Sequence, residues 1–582
     1  MPKKSDCLYI ATDVLIIGSG GAGLRTAIEL NELGVDCLVI GKCKFGDAHT
    51  TLATGGINAA LGNMDPQDHW MLHAADTLKE GQFLADYRVI EKLCKEAPRA
   101  ITDLVNYGMR FQRDSDGKIV QRFFGAALYR RACFSGDETG KEILRCMVAE
   151  TKKRKIQFMD NVYITKLFKQ HGRVVGAFGI DHYSGRFILF QAKAIVLAAG
   201  GYSRVYKRSS SRVFENTGDG ITLGYEAGAA LQDMEMTQFH PTGMIYPPQA
   251  LGILVTEAVR GEGGILLNAK GERFMKRYDP KRMELGPRDE VARAIYREIH
   301  EGRGTKHGGV WLDITHRPKA YILQRLPKVY KQFKEFLDID ISKERMEVAP
   351  TSHYSMGGLK VRFTDMQTTV PGLYALGEVS SGVHGANRLG GNSLLECIVF
   401  GKHAGRALER FVKKETSLAP DKKDIVAEVR RITSLFGKKL PGTIVAVRAA
   451  LQENMWQYAG IMRTEKELRQ GLKNLEKIRQ RVSKLKVTGT LKHNEQFIML
   501  LDLENMLIPC EAILRSALLR KESRGAHARK DYPKKSDKYV GNFICTAAHQ
   551  TMELTFEQLP KPEGKIVEAL KTVAKARYHH LE

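Results

Sequence analysis

The chain has 582 residues, of which 43% are hydrophobic and 27% charged. This composition excludes a disordered or fibrous protein, and the length predicts roughly two to four domains. No apolar run reaches the ~20 residues that span a bilayer. Residues 1–6 pass directly into a predicted strand, so we expect neither a transmembrane segment nor a signal or transit peptide.

The net charge is +24, from 90 Lys and Arg against 66 Asp and Glu. The basic residues are spread along the chain without a nucleic-acid-binding motif, so we expect no nucleic-acid partner. Most basic clusters are expected to be solvated, with docking to an acidic partner or a membrane surface as the next use. The nine cysteines show no C-x-x-C or ferredoxin-type spacing. We therefore expect no metal site, and any iron–sulfur chemistry must belong to another chain.

The N-terminal region carries a dinucleotide fingerprint. The apolar strand Val14–Ile17 leads into Gly18-x-Gly20-x-x-Gly23 and a segment of helical period. These glycines allow a tight turn, close approach of the backbone to a pyrophosphate, and packing of the helix on the sheet. A second strand, Val35–Ile40, follows. The sequence thus predicts a βαβ unit.

Two further features refine this interpretation. An acidic residue that would bond a ribose hydroxyl is missing after the second strand, where Gly41-Lys42 stands. This argues against a simple NAD dehydrogenase. A second dinucleotide-type segment, Ala194–Gly201, lies far downstream. Such a recurrence is typical of flavoproteins whose nucleotide domain is split.

The predicted architecture is α/β with a Rossmann-like split domain, residues 1–237 and 345–412. Residues 238–344 are predicted to form an inserted α+β capping domain, with a helix over Glu290–Glu301, a strand over Gly309–Asp313 and a long helix over Arg317–Leu337. The stretch 413–424, rich in Lys, Pro and Ser, is predicted to be a linker. Residues 425–535 are predicted to form a helical domain, helical as far as 527, with its clearest amphipathic face at Leu468–Ile478. Residues 536–582 are predicted to form a small C-terminal segment with short strands over 539–560.

Residues 384–395 place a lone arginine, Arg388, among glycines and small polar residues. Clustered glycine indicates close backbone approach to a ligand, and a guanidinium is suited to binding a carboxylate with two parallel hydrogen bonds. A Gly-rich turn with a surface arginine is the alternative.

Taken together, these motifs resemble the flavoprotein subunit of succinate dehydrogenase and fumarate reductase, with L-aspartate oxidase as the nearest relative. The resemblance covers residues 12–560. It implies FAD bound covalently through His49, in a loop where Ala48 replaces the family's serine and Thr54 its Gln or Glu. The other implied FAD contacts are Gly18, Gly20, Gly21, Gly23, Lys42, Thr50, Thr51, Gly55, Gly56, Asp219, Glu378, Ser393 and Leu394.

The resemblance also implies a site for a four-carbon dicarboxylate. The substrate contacts it implies are His240, Thr256, His353, Arg388 and Phe124. Arg288 would move the proton at the substrate carbon, with Glu257 and Arg260 as a relay. A dianion needs paired donors at both ends to be buried. An arginine, with a pKa above 12, can act as an acid only toward a more basic carbanion.

The implied activity is interconversion of succinate and fumarate. Electrons would be exchanged with an iron–sulfur subunit and, beyond it, with membrane anchor subunits. The implied location is the cytoplasmic side of the cell membrane. The alternative is a soluble L-aspartate oxidase. Phe124 stands where the oxidases carry a carboxylate that reads the amino group, and the oxidases lack the histidine at position 49. Arg130-Arg131 does match the oxidase pattern. A basic FAD-binding scaffold without activity is the remaining alternative.

Overall fold

The computed structural model of the protein describes residues 7–437, 443–548 and 551–575. Residues 1–6, expected to lead into the first strand, and 576–582, the end of the predicted C-terminal segment, lie outside the described residues. The strands of the described part, in chain order, are β1 (Cys7–Ile17), β2 (Cys37–Ile40), β3 (Ile57–Asn58), β4 (Gln121–Arg122), β5 (Ala132–Cys133), β6 (Gln157–Met159), β7 (Val162–Gln170), β8 (Arg173–Asp181), β9 (Arg186–Leu197), β10 (Leu231–Gln232), β11 (Thr237–Met244), β12 (Ile265–Leu267), β13 (Val310–Asp313), β14 (Met346–Ser355), β15 (Gly358–Leu359), β16 (Leu373–Ala375), β17 (Gly541–Ala548) and β18 (Thr551–Gln558).

Helices cover both faces of the main sheet and form most of the C-terminal third. The α-helices of the same residues, in chain order, are α1 (Gly21–Glu32), α2 (Trp70–Glu80), α3 (Tyr87–Asn106), α4 (Thr139–Lys153), α5 (Asp219–Glu226), α6 (Ala258–Gly261), α7 (Met275–Tyr278), α8 (Arg288–Glu298), α9 (Lys319–Arg325), α10 (Pro327–Leu337), α11 (Asn392–Val412), α12 (Lys422–Ser434), α13 (Ile444–Ala459), α14 (Glu465–Val482), α15 (Glu495–Leu519) and α16 (Lys565–Lys575).

The main sheet has the strand order β6-β2-β1-β9-β8-β7, with β16 also paired to β9. β1 pairs in parallel with β2, placing Val14 opposite Cys37, and in parallel with β9, placing Ile17 opposite Leu197. Strands buried on both faces are built from continuous apolar runs, as the carboxyl-terminal half of β1 is. The predicted βαβ unit is confirmed, and the two distant dinucleotide-type segments are neighbours in space.

The main sheet is completed from a distant part of the chain. β16 pairs in parallel with the end of β9, with Leu373 opposite Ile195. α11, which follows, packs against α1. A methyl group added at Gly401 would lie 2.9 Å from the Arg25 Cβ atom, so glycine there lets the two helices approach closely. The predicted split α/β fold is confirmed.

The inserted segment has its own antiparallel sheet, of strand order β11-β14-β13-β12, and its own apolar core. β14 begins at Met346, so this sheet extends past the predicted boundary at residue 344. The predicted helix over Glu290–Glu301 corresponds to α8 and a π-turn, and the strand over Gly309–Asp313 corresponds to β13. The four domain boundaries themselves remain a prediction.

The single helix predicted over Arg317–Leu337 is wrong. α9 ends at Arg325 and α10 begins at Pro327. Proline lacks an N–H group and its ring clashes with the preceding turn, so it begins a helix and does not continue one.

Helices α13, α14 and α15 pack together in the C-terminal third. The predicted amphipathic face on α14 is confirmed, with Leu468, Leu475 and Ile478 buried. The helical run predicted to residue 527 is too long, because α15 ends at Leu519. Residues 520–535 are an extended segment held by buried ion pairs, among them one between Arg520 and Glu235 at 2.6 Å.

The C-terminal strands β17 and β18 form an antiparallel hairpin. β17 also pairs with β10, with Cys545 opposite Leu231, so the hairpin joins a sheet begun in the first domain. The sequence did not predict α16, which packs through Ile566, Ala569 and Val573 on the core around α2. Among the described residues, every helix falls short of the length and apolar character needed to cross a membrane.

Candidate active site

The loop after β1 is shaped by glycine. Gly18 has φ +123°, and a methyl group there would lie 2.1 Å from the Ala198 carbonyl oxygen. A methyl group at Gly23 would lie 2.0 Å from the Gly18 carbonyl oxygen. Only glycine fits at either position. The loop thus brings backbone N–H groups and the N-terminus of α1 to the edge of the sheet, as a bound pyrophosphate requires.

One large cavity begins at this loop and runs beneath the inserted sheet. Three residues predicted for the site, Gly23, Thr51 and Arg260, do not line it. Gly23 packs on Gly18, the Thr51 hydroxyl donates to the Ala48 carbonyl, and Arg260 lies behind Glu257. The predicted residues that do line it are Gly18, Gly20, Gly21, Lys42, His49, Thr50, Gly55, Gly56, Phe124, Asp219, His240, Thr256, Glu257, Arg288, His353, Glu378, Arg388, Ser393 and Leu394.

His49 lies on a short 3₁₀ turn in the wall of this cavity. Its Nδ1 atom lies 3.3 Å from Glu215 Oε2. Burial alone would disfavour the imidazolium, yet the Glu215 carboxylate raises the pKa of His49 above its ordinary value. Burial is likewise outweighed at Glu215, where His49 and Arg212 lower the pKa to about 2. The Nδ1–Glu215 contact leaves Nε2 as the ring nitrogen that can bind a ligand.

Lys42 lies in a buried charge network at the opposite end of the cavity. Its Nζ atom contacts Asp219 Oδ2 at 2.9 Å and Asp502 Oδ1 at 2.5 Å, and it lies 4.9 Å from the centre of the Tyr163 ring. Burial opposes the ammonium form, but the two carboxylates raise the pKa of Lys42. Asp502 belongs to α15, so the helical segment contributes directly to this end of the site.

Two arginines meet at one amide oxygen on the side of the cavity toward the inserted sheet. Gln238 Oε1 accepts hydrogen bonds from Arg288 Nη1 at 3.2 Å and from Arg388 Nη2 at 3.0 Å. Arg388 also donates to Ser393 Oγ at 2.9 Å and lies 4.3 Å from the centre of the Tyr354 ring. Its Nε atom is buried without a partner. Burial and the nearby Arg288 lower the pKa of Arg388 to about 10, which leaves it cationic at neutral pH.

Two histidines complete this end of the cavity. The His240 and His353 rings lie 5.3 Å apart, centre to centre, at 66°. His240 uses Nδ1 at Thr242, and His353 uses Nδ1 at Ser210 Oγ, 2.9 Å away. Each therefore retains Nε2 for a ligand. Burial and the neighbouring cations lower the pKa of both histidines well below the ordinary value, so both are neutral.

Glu257 connects Arg288 to the interior of the inserted segment. Its Oε2 atom accepts from Arg288 Nε at 2.7 Å and lies 3.8 Å from Arg260 Nη2, while Oε1 accepts from the Gly125 N–H at 2.7 Å. Burial would raise the pKa of Glu257, but the two guanidinium groups lower it. Arg260 donates onward to the Glu284 carbonyl. The carboxylate thus lies between two arginines, as a proton relay requires.

Phe124 separates the two ends of the cavity. Methyl groups added at Gly55 and Gly390 would lie 2.4 Å and 3.2 Å from its ring, so glycine on both sides makes room for it. The neighbouring arginines, considered because they match the oxidase pattern, point elsewhere. Arg130 pairs with Asp65 at 2.7 Å, and Arg131 is fully buried against Asp68 at 2.8 Å.

Sequence reasoning missed several residues that shape the site. Gln238 lies two residues before His240, in a motif that the sequence already singled out. Glu215 and Asp502 carry no motif of their own, because each acts only through a partner distant in the chain.

A parallel sheet split around a glycine loop, with a cavity that extends to a cluster of cations, defines the class of FAD-binding oxidoreductases. Residues 13–394 match the family described as "FAD binding domain", and residues 448–570 match "Fumarate reductase flavoprotein C-term". The chain belongs to the flavoprotein family of succinate dehydrogenases and fumarate reductases.

Similar proteins span nearly the whole chain. One such relative, from the fumarate reductase (CoM/CoB) of Methanothermobacter marburgensis, is 43% identical over 90% of this chain and 94% of its own. The succinate dehydrogenase flavoprotein subunit of Rickettsia bellii is 36% identical over 99% of this chain and 100% of its own. The structure of Mycobacterium smegmatis Sdh1 in complex with UQ1 superposes with a TM-score of 0.89, at 39% identity and 98% coverage of both chains.

Proposed function

We propose that the chain is a catalytic flavoprotein subunit that interconverts succinate and fumarate, with FAD bound along the cavity. One observation carries the proposal: the cations suited to a dicarboxylate line the same cavity as the dinucleotide loop. The loop at Gly18 and the N-terminus of α1 would hold the pyrophosphate. When bound, FAD supplies a hydride acceptor or donor.

The chain's own residues account for binding and orientation of the dianion. Arg388 would hold one carboxylate, with its unpartnered Nε–H and its fixed guanidinium plane. His240 and His353, both neutral, would each contribute an Nε2 atom, and Thr256 a hydroxyl. Fixing both ends of the substrate places its central carbons in one orientation, which supplies a large part of the reduction in the barrier.

Arg288 is the group proposed to move the proton at the substrate carbon. It lines the cavity and contacts Glu257 at 2.7 Å, so a proton lost from Arg288 can be replaced from the carboxylate side. Arg260, on the far side of Glu257, extends this relay. The guanidinium is a weak acid, and the adjoining carboxylate provides the route by which it recovers its proton.

We further propose that His49 bonds covalently to FAD. Glu215 holds Nδ1, and this contact turns Nε2 toward the ligand. The test is to denature the FAD-loaded protein in acid and look for flavin fluorescence in the protein band on a gel. Wild type should give a fluorescent band and His49→Ser a dark one. A dark wild-type band together with aspartate turnover would favour the L-aspartate oxidase alternative.

The relatives' names support an electron-transfer partner. Two relatives are named as subunits, and their names and those of the solved structures include CoM/CoB in one case and UQ1 in another. We propose that the immediate partner is an iron–sulfur subunit, with membrane anchor subunits beyond it, on the cytoplasmic side of the membrane. Membership of the family does not fix the final donor or acceptor. Co-purification from the native source, followed by iron and sulfide analysis, tests this arrangement.

The activity itself is tested on the FAD-loaded chain with artificial electron carriers. Wild type should reduce fumarate with a reduced viologen dye and oxidise succinate with a redox dye. Arg288→Lys should abolish both reactions while FAD stays bound. Arg303→Lys, a matched control in the inserted segment that pairs with Glu298 at 2.7 Å, should retain both. Measurable turnover by Arg288→Lys would overturn the proton role of Arg288.

A further inference from the structure

Gln238 joins the two arginines of the site and is itself fully buried. Its Oε1 atom accepts from Arg288 and Arg388, while its Nε2 atom donates to Asn387 Oδ1 at 2.7 Å and to the Arg388 carbonyl at 2.9 Å. The nitrogen faces two oxygens and the oxygen faces two cations. Rotating the amide by 180° would place donors against donors, so its orientation is fixed.

Asn387 is fixed in the same way from deeper in the protein. Its Nδ2 atom donates to Glu80 Oε1 and to Asp289 Oδ1, both at 2.7 Å. Two carboxyl oxygens at the nitrogen force the amide oxygen to face Gln238. Asn387 and Gln238 are called the amide chain below, and Glu80 and Asp289 the carboxyl pair. None of the four lines the cavity.

The two members of the carboxyl pair differ in charge balance. Asp289 is paired with Arg293 at 2.8 Å. Glu80 is the last residue of α2 and is buried. Burial, then Asp289 and Glu290, raise the pKa of Glu80 well above its ordinary value; Arg282 opposes this shift and Glu257 reinforces it. The protonated form of Glu80 is therefore favoured, and one negative charge rather than two lies behind the amide chain.

We propose that the carboxyl pair, acting through the amide chain, sets the separation of Arg288 and Arg388. This inference rests on the proposed function, in which one arginine binds a carboxylate and the other moves a proton. Two buried guanidinium groups repel each other, and a single oxygen between them holds both at a fixed spacing. A displacement of about 1 Å in such a site can cost about a hundredfold in rate. The four residues are positioning residues, since none lines the cavity.

Asn387→Asp is the sharpest test, because it keeps the shape and exchanges the donor for an oxygen. A deprotonated Asp at position 387 would repel the carboxyl pair, whereas a protonated one restores a donor to it. Relative to wild type at the same pH, the dissociation constant for malonate, a dicarboxylate inhibitor, should be nearly unchanged at pH 6 and about tenfold higher at pH 8. Asn387→Leu should bind malonate weakly at both pH values.

The control is Asn454→Asp in the helical segment. Asn454 is also buried and donates through Nδ2, to the Gly471 carbonyl at 3.1 Å. This variant should bind malonate within about twofold of wild type at both pH values, since a change of that size is below one ordinary hydrogen bond. A loss equal to that of Asn387→Asp would attribute the effect to a buried carboxylate in general and overturn the proposal.

A second pair of variants keeps the proposal testable if Asn387→Asp fails to fold. Glu80→Gln retains an acceptor for Asn387, and Glu80→Leu removes it. Malonate affinity should stay within about twofold for Gln and fall roughly three- to tenfold for Leu, with FAD content unchanged in both. Equal affinities for these two variants would overturn the role of the carboxyl pair. A wild-type protein that binds no malonate would overturn the proposed function itself.

Discussion

Replacing Asp502 by Asn tests whether α15 stabilises the cofactor end of the cavity through charge. Asp502 is fully buried, and its Oδ1 atom accepts from Lys42 at 2.5 Å and from the Tyr163 hydroxyl at 3.0 Å. A hydrogen bond to a charged group contributes about 1.5–3 kcal/mol. Because Asp219 still balances Lys42 at 2.9 Å, we expect Asp502→Asn to lower the free energy of unfolding by an amount in this range.

A double-mutant cycle isolates this interaction. Lys42→Met leaves Asp219 and Asp502 facing each other without a cation, and breaking a buried pair in this way costs about 3–5 kcal/mol. Adding Asp502→Asn removes one of the two carboxylates, so the double variant should be more stable than Lys42→Met alone. The assay is urea unfolding of the FAD-free protein followed by circular dichroism. Effects that add to within about 0.5 kcal/mol would refute the network.

Three further outcomes are expected. Arg388→Lys should raise the malonate dissociation constant about 10- to 100-fold without loss of FAD, since Lys cannot bind a carboxylate with two parallel hydrogen bonds; an unchanged constant would contradict this. Glu215→Gln should reduce the fluorescent band, because His49 loses the partner that orients Nε2. Because the pKa of Glu215 is lowered to about 2, the stability of FAD-free wild type over this variant should be present above pH about 4.5 and lost as pH falls through about 2. Gly18→Ala should abolish FAD binding, whereas Gly34→Ala, also at positive φ but with open space around it, should keep it.

Local patterns were enough to predict the elements that hold the cofactor. The apolar run at Val14–Ile17, the glycine spacing after it and the helical period that follows each limit the backbone to a few conformations. The structure confirms all three, together with the pairing of the two dinucleotide-type segments. Boundaries failed where a single residue decides, as at Pro327, and where helical composition continues past a helix end, as after Leu519.

The substrate side was predicted in a different way. Motifs resembling a known family supplied the residue types, and the fold brings nearly all of them to one cavity. What these motifs could not supply is orientation. His240 and His353 present Nε2 because Nδ1 is already engaged by Thr242 and Ser210, and neither contact leaves a signature in the sequence.

The residues that no pattern revealed share one property: each acts through a partner far away in the chain. Asp502 meets Lys42 across 460 residues, and Asn387 meets Glu80 across 307. An isolated Asp, Asn or Glu is most often a surface residue, so sequence alone gives no reason to select these three. Once buried, each must find a partner or lose stability, and the partner it finds here is one step behind a residue of the site. The reactive side chains are therefore held in place by contacts that only the tertiary fold creates.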